Sequence, residues 1–257
     1  MIKRRKTTKK QLRNWLDLPE DVMNLIFMKL GATGILLHAQ YVCSSWRKLA
    51  KEPHLYGSIV IQEELWDYFK VYEHFENFVK KAVDRSCGEL LNFSSDRPIK
   101  PDLMYYVSRK SCSLKYLRLG PQTHISFEGL KVVIIRLPFL EELDVWLDDM
   151  YHSRKLIKQL GRSCSKLNCL RLNYSDLQSE CDREASAIAK YLPQLLRLQL
   201  TGCMVTNSGL QAILDGCTHI EYLDCRNCFN LGLDEDLLKR CTSRIKNLWL
   251  PARIGVL

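Results

Sequence analysis

From Leu114 onward, apolar residues recur in the pattern L-x-x-L-x-L: Leu114-Leu117-Leu119, Leu140-Leu143-Val145, Leu167-Leu170-Leu172, Leu195-Leu198-Leu200, Ile220-Leu223-Cys225 and Ile245-Leu248-Leu250. Successive first anchors are 26, 27, 28, 25 and 25 residues apart. The alternation inside each L-x-L predicts a short strand whose anchors point inward. The roughly ten residues between strands keep helical spacing, as in Leu210, Ile213 and Leu214 after Thr206-Asn207. Each unit is therefore expected to be a strand followed by a helix. One unit cannot cover its own apolar face, so neighbours must stack into a curved parallel sheet lined outside by helices. A weaker unit is expected to begin at Cys87, with Leu90 and Phe93.

Ahead of the repeats the pattern changes. Leu16-Asp17-Leu18-Pro19-Glu20-Asp21-Val22 opens a segment in which Pro19 suits a first helical position, two acids suit the positive end of the dipole, and Gly31 suits a left-handed stop. A helix is predicted from about Pro19 to Leu30. Its apolar residues Leu25, Ile26, Phe27 and Met28 spread over most of the circumference at 100° per residue, so one-sided burial cannot hide them. The following stretch, with Ile35, Leu36, Leu37, Val42, Cys43 and Trp46, repeats the excess before a stop at Glu52-Pro53. Three short helices in so few residues sit near the lower limit for independent folding, and a second protein is the expected cover. Farther on, Leu65 to Cys87 carries Trp66, Phe69, Tyr72, Phe75, Phe78 and Val79 at three- and four-residue intervals, an amphipathic helix expected to cap the first repeat.

These residues carry two resemblances. Leu18-Pro19, Ile26 and Leu30, then Val42-Cys43 and Trp46-Arg47 in a third helix, resemble an F-box over about Asn14 to Tyr56. The six-fold period resembles leucine-rich repeats of the cysteine-containing type, in a short plant-like group. Together they imply an α/β chain: a three-helix F-box module followed by a right-handed leucine-rich-repeat solenoid. The expected division is a basic tail at 1–13, the F-box at 14–56, a connecting and capping segment at 57–86, and six to seven repeats at 87–257. The resemblance implies docking to the Skp-type adaptor of a cullin-RING ubiquitin ligase through Leu18, Pro19, Ile26, Leu30, Val42 and Trp46. The chain would then be a substrate receptor and catalyse nothing itself. A scaffold without a ligase role and a receptor for a small ligand are the alternatives.

Composition narrows the function classes. Of 38 Lys and Arg, seven (Lys3, Arg4, Arg5, Lys6, Lys9, Lys10, Arg13) precede the first acid, leaving 31 against 29 acids. The net charge of +9 thus describes a tail, and nucleic-acid binding is not expected. The tail admits an import signal, so nucleus and/or cytoplasm is the expected location. No apolar run reaches the ~20 residues of a membrane span. Eleven cysteines, an odd number, do not suggest a disulfide framework, and reduced thiols are expected. Cys87, Cys112, Cys164, Cys217 and Cys241 precede first anchors and mark helix-to-strand corners, while Cys203 and Cys228 stand three residues after the last anchor. Cys225-x-x-Cys228 has ligand spacing but lacks a second close pair, so neither a metal nor a cofactor is expected. Phosphate loops, H-E-x-x-H and G-x-S-x-G are missing from the sequence. Recognition of an unidentified target protein is expected on the concave sheet, where the middle positions of the L-x-L units are Arg118, Asp144, Arg171, Gln199, Asp224 and Trp249.

Overall fold

A computed structural model describes residues 15, 18–66, 68–121, 126–147, 153–174 and 181–251. The first helix, α1 (Glu20–Leu37), turns over at Gly31, whose φ of 65° is the left-handed geometry a side chain would resist. The predicted stop is therefore real, but the chain re-enters a helix at once and runs on to Leu37. Pro19 stands as the cap just before the helix, with Glu20 and Asp21 in its first turn. After a 3-10 turn at Ala39–Tyr41 comes α2 (Ser44–Leu49). Cys43 caps α2, its sulfur accepting from the Trp46 amide at 3.5 Å. Val42 and Cys43 thus precede this helix instead of lying within it.

Among the described residues eight parallel strands follow in chain order, forming one sheet: β1 (Ser58–Ile61), β2 (Asn92–Ser95), β3 (Tyr116–Leu119), β4 (Glu142–Leu147), β5 (Cys169–Tyr174), β6 (Arg197–Thr201), β7 (Tyr222–Asp224) and β8 (Asn247–Trp249). Between them run α3 (Tyr72–Arg85), α4 (Pro101–Lys110), α5 (Phe127–Ile134), α6 (Ser153–Ser163), α7 (Asp182–Tyr191), α8 (Asn207–Gly216) and α9 (Glu235–Arg244). From α3 to α9 each helix packs on the next. Strands pair about 4.8 Å apart whereas packed helices need 8–10 Å, so the stack bends with the sheet on its inner side. The inward anchors, from Leu114, Leu117 and Leu119 through Leu195, Leu198 and Leu200, are buried against the helices.

The sheet starts one strand earlier than expected. Ile59 and Ile61 of β1 are buried, and β1, at the start of the segment read as connecting and capping, pairs with β2. The aromatic stretch also begins later: Glu63–Trp66 is a 3-10 turn, and the helix proper starts at Tyr72. It is the outer helix of the first repeat, and the free edge of β1 is instead covered by α1, with the Thr33 hydroxyl donating to the Val60 carbonyl at 3.1 Å. An uncovered edge would template pairing with another chain, so the helical module also closes the sheet.

The corner cysteines explain their own recurrence. The Cys164 thiol donates to the Leu137 carbonyl and the Cys217 thiol to the Leu192 carbonyl, each at 3.5 Å, satisfying acceptors left open where the preceding repeat leaves its helix. Burial pushes Cys164 up to about 12 and Cys217 to about 11, so both keep the proton that they donate. Cys228 donates to the Leu200 carbonyl at 3.5 Å, bonding turn to strand as its position suggests. Cys241, by contrast, lies inside the last turns of α9. One expectation fails: Cys181 and Cys203 form a disulfide, because the turn after β6 lies over the start of α7. The Cys181 amide donates to the Met204 carbonyl at 3.4 Å, and the two Cα atoms are 5.8 Å apart.

Candidate functional site

In the first half of α1, Met23 and Phe27 point inward and are buried, with Ile26 half-buried beside them. Leu25 and Met28 lie on the opposite side of the helix and are 59% and 57% exposed. Leu30 at the helix end, together with Tyr41 and Val42 just before α2, is also exposed. Trp46 packs edge-on against Phe27, with ring centroids 5.4 Å apart, and meets Trp15 at 6.3 Å. Leu18 and Trp46 line a cavity of about 290 Å³ whose other walls include Trp15, Met23 and Leu49.

The six expected docking residues therefore divide. Pro19, Leu30 and Val42 are open to solvent, whereas Leu18, Ile26 and Trp46 are half-buried in the packing that holds the exposed ones. Leu25, Met28, Tyr41 and Trp15 complete the open apolar surface but were not among the six. For Leu25 and Met28 the signal was present, since 100° per residue turns both away from the direction shared by Met23 and Phe27.

Besides the packing of α1 on β1, one side chain ties the module to the repeats. Arg85, at the end of α3, donates to the Ala50 carbonyl at 2.9 Å, the Tyr56 hydroxyl at 2.7 Å and Gln40 Oε1 at 2.9 Å. The Tyr56 hydroxyl in turn donates to the Ala50 carbonyl at 2.6 Å. The apolar surface is thereby held at a set angle to the sheet.

On the sheet, the six middle positions form one continuous row. Ser94 lies beside Arg118, then Asp144, Arg171, Gln199, Asp224 and Trp249, each in register with the next. Arg118 pairs with Asp96 and lies 3.6 Å from Asp144, which also accepts from Asn173 at 2.9 Å. Glu142 takes both Arg197 at 2.7 Å and Arg171 at 3.6 Å. Arg226 grips Asp224 through Nε and Nη2, and its guanidinium lies 5.1 Å from the centre of the Trp249 ring. Burial raises the Asp144 carboxyl above its ordinary value despite the arginines beside it. In Asp224 burial pulls the same way, but hydrogen bonds from the Arg226 side chain and backbone outweigh it and leave the carboxyl below its ordinary value.

Among the described residues no group of three or more His, Cys, Asp or Glu side chains could hold a metal ion. Cys225 and Cys228 are both buried, and their mutual hydrogen bond and burial push the Cys225 thiol well up. No helix of the described residues is long and apolar enough to cross a membrane.

An F-box-like family profile matches residues 15–62, the span of the helical module and β1. A second profile, described as "FBD-associated F-box protein At5g56370, LRR repeats", matches residues 95–244, more than half of the chain. The chain belongs to the F-box/leucine-rich-repeat proteins. Among Arabidopsis thaliana relatives, "Putative F-box/LRR-repeat protein 23" is 39% identical over 246 residues, 94% of this chain but 54% of that protein. "Putative F-box protein At4g05475" is 37% identical over 253 residues, 93% of this chain and 79% of the relative. "F-box protein SKIP19" is 37% identical over 233 residues, 91% and 76% of the two chains. The F-box/LRR chain thus spans about half the length of the first relative and about three quarters of the other two. F-box proteins generally act in SCF ubiquitin ligases as non-catalytic adaptors, and F-box domains typically bind Skp1-type proteins.

Proposed function

We propose that this F-box/LRR chain is the substrate-recognition subunit of an SCF-type ubiquitin ligase. The Skp-type adaptor, and through it the cullin-RING core, would dock on the F-box, and the repeats would hold the target protein. The observation that carries this reading is the apolar surface of the module, where Leu25, Met28, Leu30, Tyr41 and Val42 stand open on elements whose other faces are already packed. So many large apolar side chains left open on so small a module mark an interaction site. We assign adaptor contact to Pro19, Leu30 and Val42 together with Leu25 and Met28. Leu18, Ile26 and Trp46 act by holding that surface in shape.

The chain would supply no reacting group. Its contribution is effective concentration: with one end on the ligase and the other on the target, transfer to a target lysine becomes nearly intramolecular. The basic tail fits work in the nucleus and/or cytoplasm. The test is co-purification of the chain with a Skp-type adaptor and a cullin, comparing wild type with Leu25→Glu combined with Met28→Glu. Recovery of both partners by wild type and their loss from the variant supports the reading. Recovery of the adaptor without cullin points to a scaffold instead, and retention by the variant removes the assigned surface.

A further inference from the structure

The charge on α6 works against the helix itself. Its 11 residues hold Arg154, Lys155, Lys158 and Arg162 and no acid. Two of these cations stand in the first turn, at the positive end of the helix dipole, and Lys158 and Arg162 are four residues apart, the spacing at which like charges repel. Elsewhere on the outer face cations are paired between neighbouring helices, Lys110 with Asp84 and Arg240 with Asp215. Of the four in α6, Arg154 meets the Glu184 carboxylate at 3.8 Å. Among the described residues Lys155, Lys158, Arg162 and, after the helix, Lys166 are exposed and form no ion pair. Folding alone gains nothing from this arrangement, whereas a partner that brings anions does.

Helix α5, packed beside α6, supplies apolar surface next to these cations. Leu130, Val133 and Ile134 are buried, while Val132 and Ile135, three residues apart and hence on one side of the helix, are 38% and 50% exposed. Phe139, in the turn that follows, is 45% exposed, with Lys166 Nζ 5.0 Å from the centre of its ring. Toward α4, Arg136 donates to the Tyr105 hydroxyl at 3.4 Å and its guanidinium lies 4.7 Å from that ring, with Arg109 exposed farther along the helix. Apolar side chains on α5 thus have cations on both flanks.

We propose that the outer faces of α5 and α6 bind an acidic amphipathic helix of a partner protein, at a surface separate from both the sheet and the helical module. Apolar residues of that helix, over about two turns, rest on Val132, Ile135 and Phe139. Its carboxylates answer Lys158, Arg162 and Lys166 on one flank and Arg109 and Arg136 on the other. A nucleic acid matches the cations but leaves the apolar centre uncovered. A bilayer gains little from three apolar side chains, one of them already beneath a lysine.

The test pans a random display library of peptides about 20 residues long, enough for several helical turns, against the full chain. Selected peptides are resynthesised and titrated by fluorescence anisotropy at low and high salt. The expected peptides are rich in Asp and Glu, carry apolar residues at helical spacing, become helical on binding by circular dichroism and weaken several-fold at high salt. Lys158→Glu combined with Arg162→Glu costs them about tenfold or more in affinity, and Ile135→Ser about threefold or more. Lys155→Gln combined with Lys158→Gln also weakens them, yet its melting temperature stays level or rises, because the charges removed opposed the dipole. A lower melting temperature in that variant would show that the charges serve the fold and would overturn the inference. Acidic peptides without apolar spacing and indifferent to Ile135→Ser would overturn it too, as would a library with no peptide sensitive to the charge reversal. Phosphatidylserine vesicles or single-stranded RNA bound by wild type and lost by the charge-reversed variant, with no such peptide selected, would give the surface to lipid or nucleic acid instead.

Discussion

Arg85 Nη2 donates to Gln40 Oε1 at 2.9 Å, joining two residues 45 positions apart: one closes the first repeat's helix, and the other lies in the turn between the two F-box helices. Because the same guanidinium also holds the Ala50 carbonyl and the Tyr56 hydroxyl, Arg85→Ala removes three hydrogen bonds at once and takes a donor from Gln40 Oε1, while Ala50 keeps its bond from Tyr56. We expect a loss of about 2–3 kcal/mol in unfolding free energy, measured by urea denaturation. Hydrogen exchange should rise across residues 39–56 and stay unchanged in β5 to β7. A uniform rise throughout the chain would show that the joint is not where the two parts are fastened.

Helix stacking on the outer face depends on missing side chains. A Cβ at Gly216 would lie 2.5 Å from the Ala189 Cβ of α7, far inside van der Waals contact. Gly216→Leu should therefore destabilise the chain by about 1–3 kcal/mol or more through overpacking, even though leucine is the better helix former. A thermal melt equal to that of wild type would refute the close approach of α7 and α8.

The corner thiols should resist alkylation. With Cys164 pushed up to about 12 and Cys217 to about 11, and both side chains buried, neither forms appreciable thiolate at neutral pH. Cys87 and Cys112 are exposed and should be modified first in a mass-spectrometric time course with iodoacetamide. Rapid labelling of Cys164 in the folded chain would contradict its donation to Leu137.

The pH response of Asp224 follows from its depressed carboxyl. A folded value below the unfolded one means that the ionised form stabilises the fold. That contribution is complete above the ordinary carboxylate range and is lost as pH falls through the depressed folded value. Arg226→Ala removes the side-chain hydrogen bonds but keeps the one from its backbone N–H, so the Asp224 carboxyl should titrate higher than in the wild type. Carbon-detected NMR of the side chain can follow this. An unmoved titration in the variant would mean that Arg226 does not set it.

Much of the repeat was legible because burial leaves few options there. Leu117 and Leu119 must face inward together, which sends Arg118 outward, and the constant period carries the same assignment from one strand to the next. The resulting row through Asp144, Arg171, Gln199 and Asp224 to Trp249 is the row found in register. β1 was harder to see, since Ser58-Ile59-Val60-Ile61 supplies the strand but no upstream leucine anchor completes the pattern. Helix α3 was read as starting too early because Leu65 and Phe69 keep helical spacing although the chain turns twice before Tyr72. The role of Arg85 had no local signal, as its partners are brought together only by the fold. Pairing of Cys181 with Cys203 was hidden for the same reason: neither spacing nor compartment hinted that the two turns overlie one another.

Each strand in this sheet touches only the strand before and the strand after. Duplication or deletion of one whole unit between β5 and β8 would accordingly move Trp249 by a fixed step while leaving the α1–β1 junction as it stands. The distance between the far end of the sheet and the helical module can therefore be lengthened or shortened in descendants of such a gene without disturbing the face proposed to meet the adaptor.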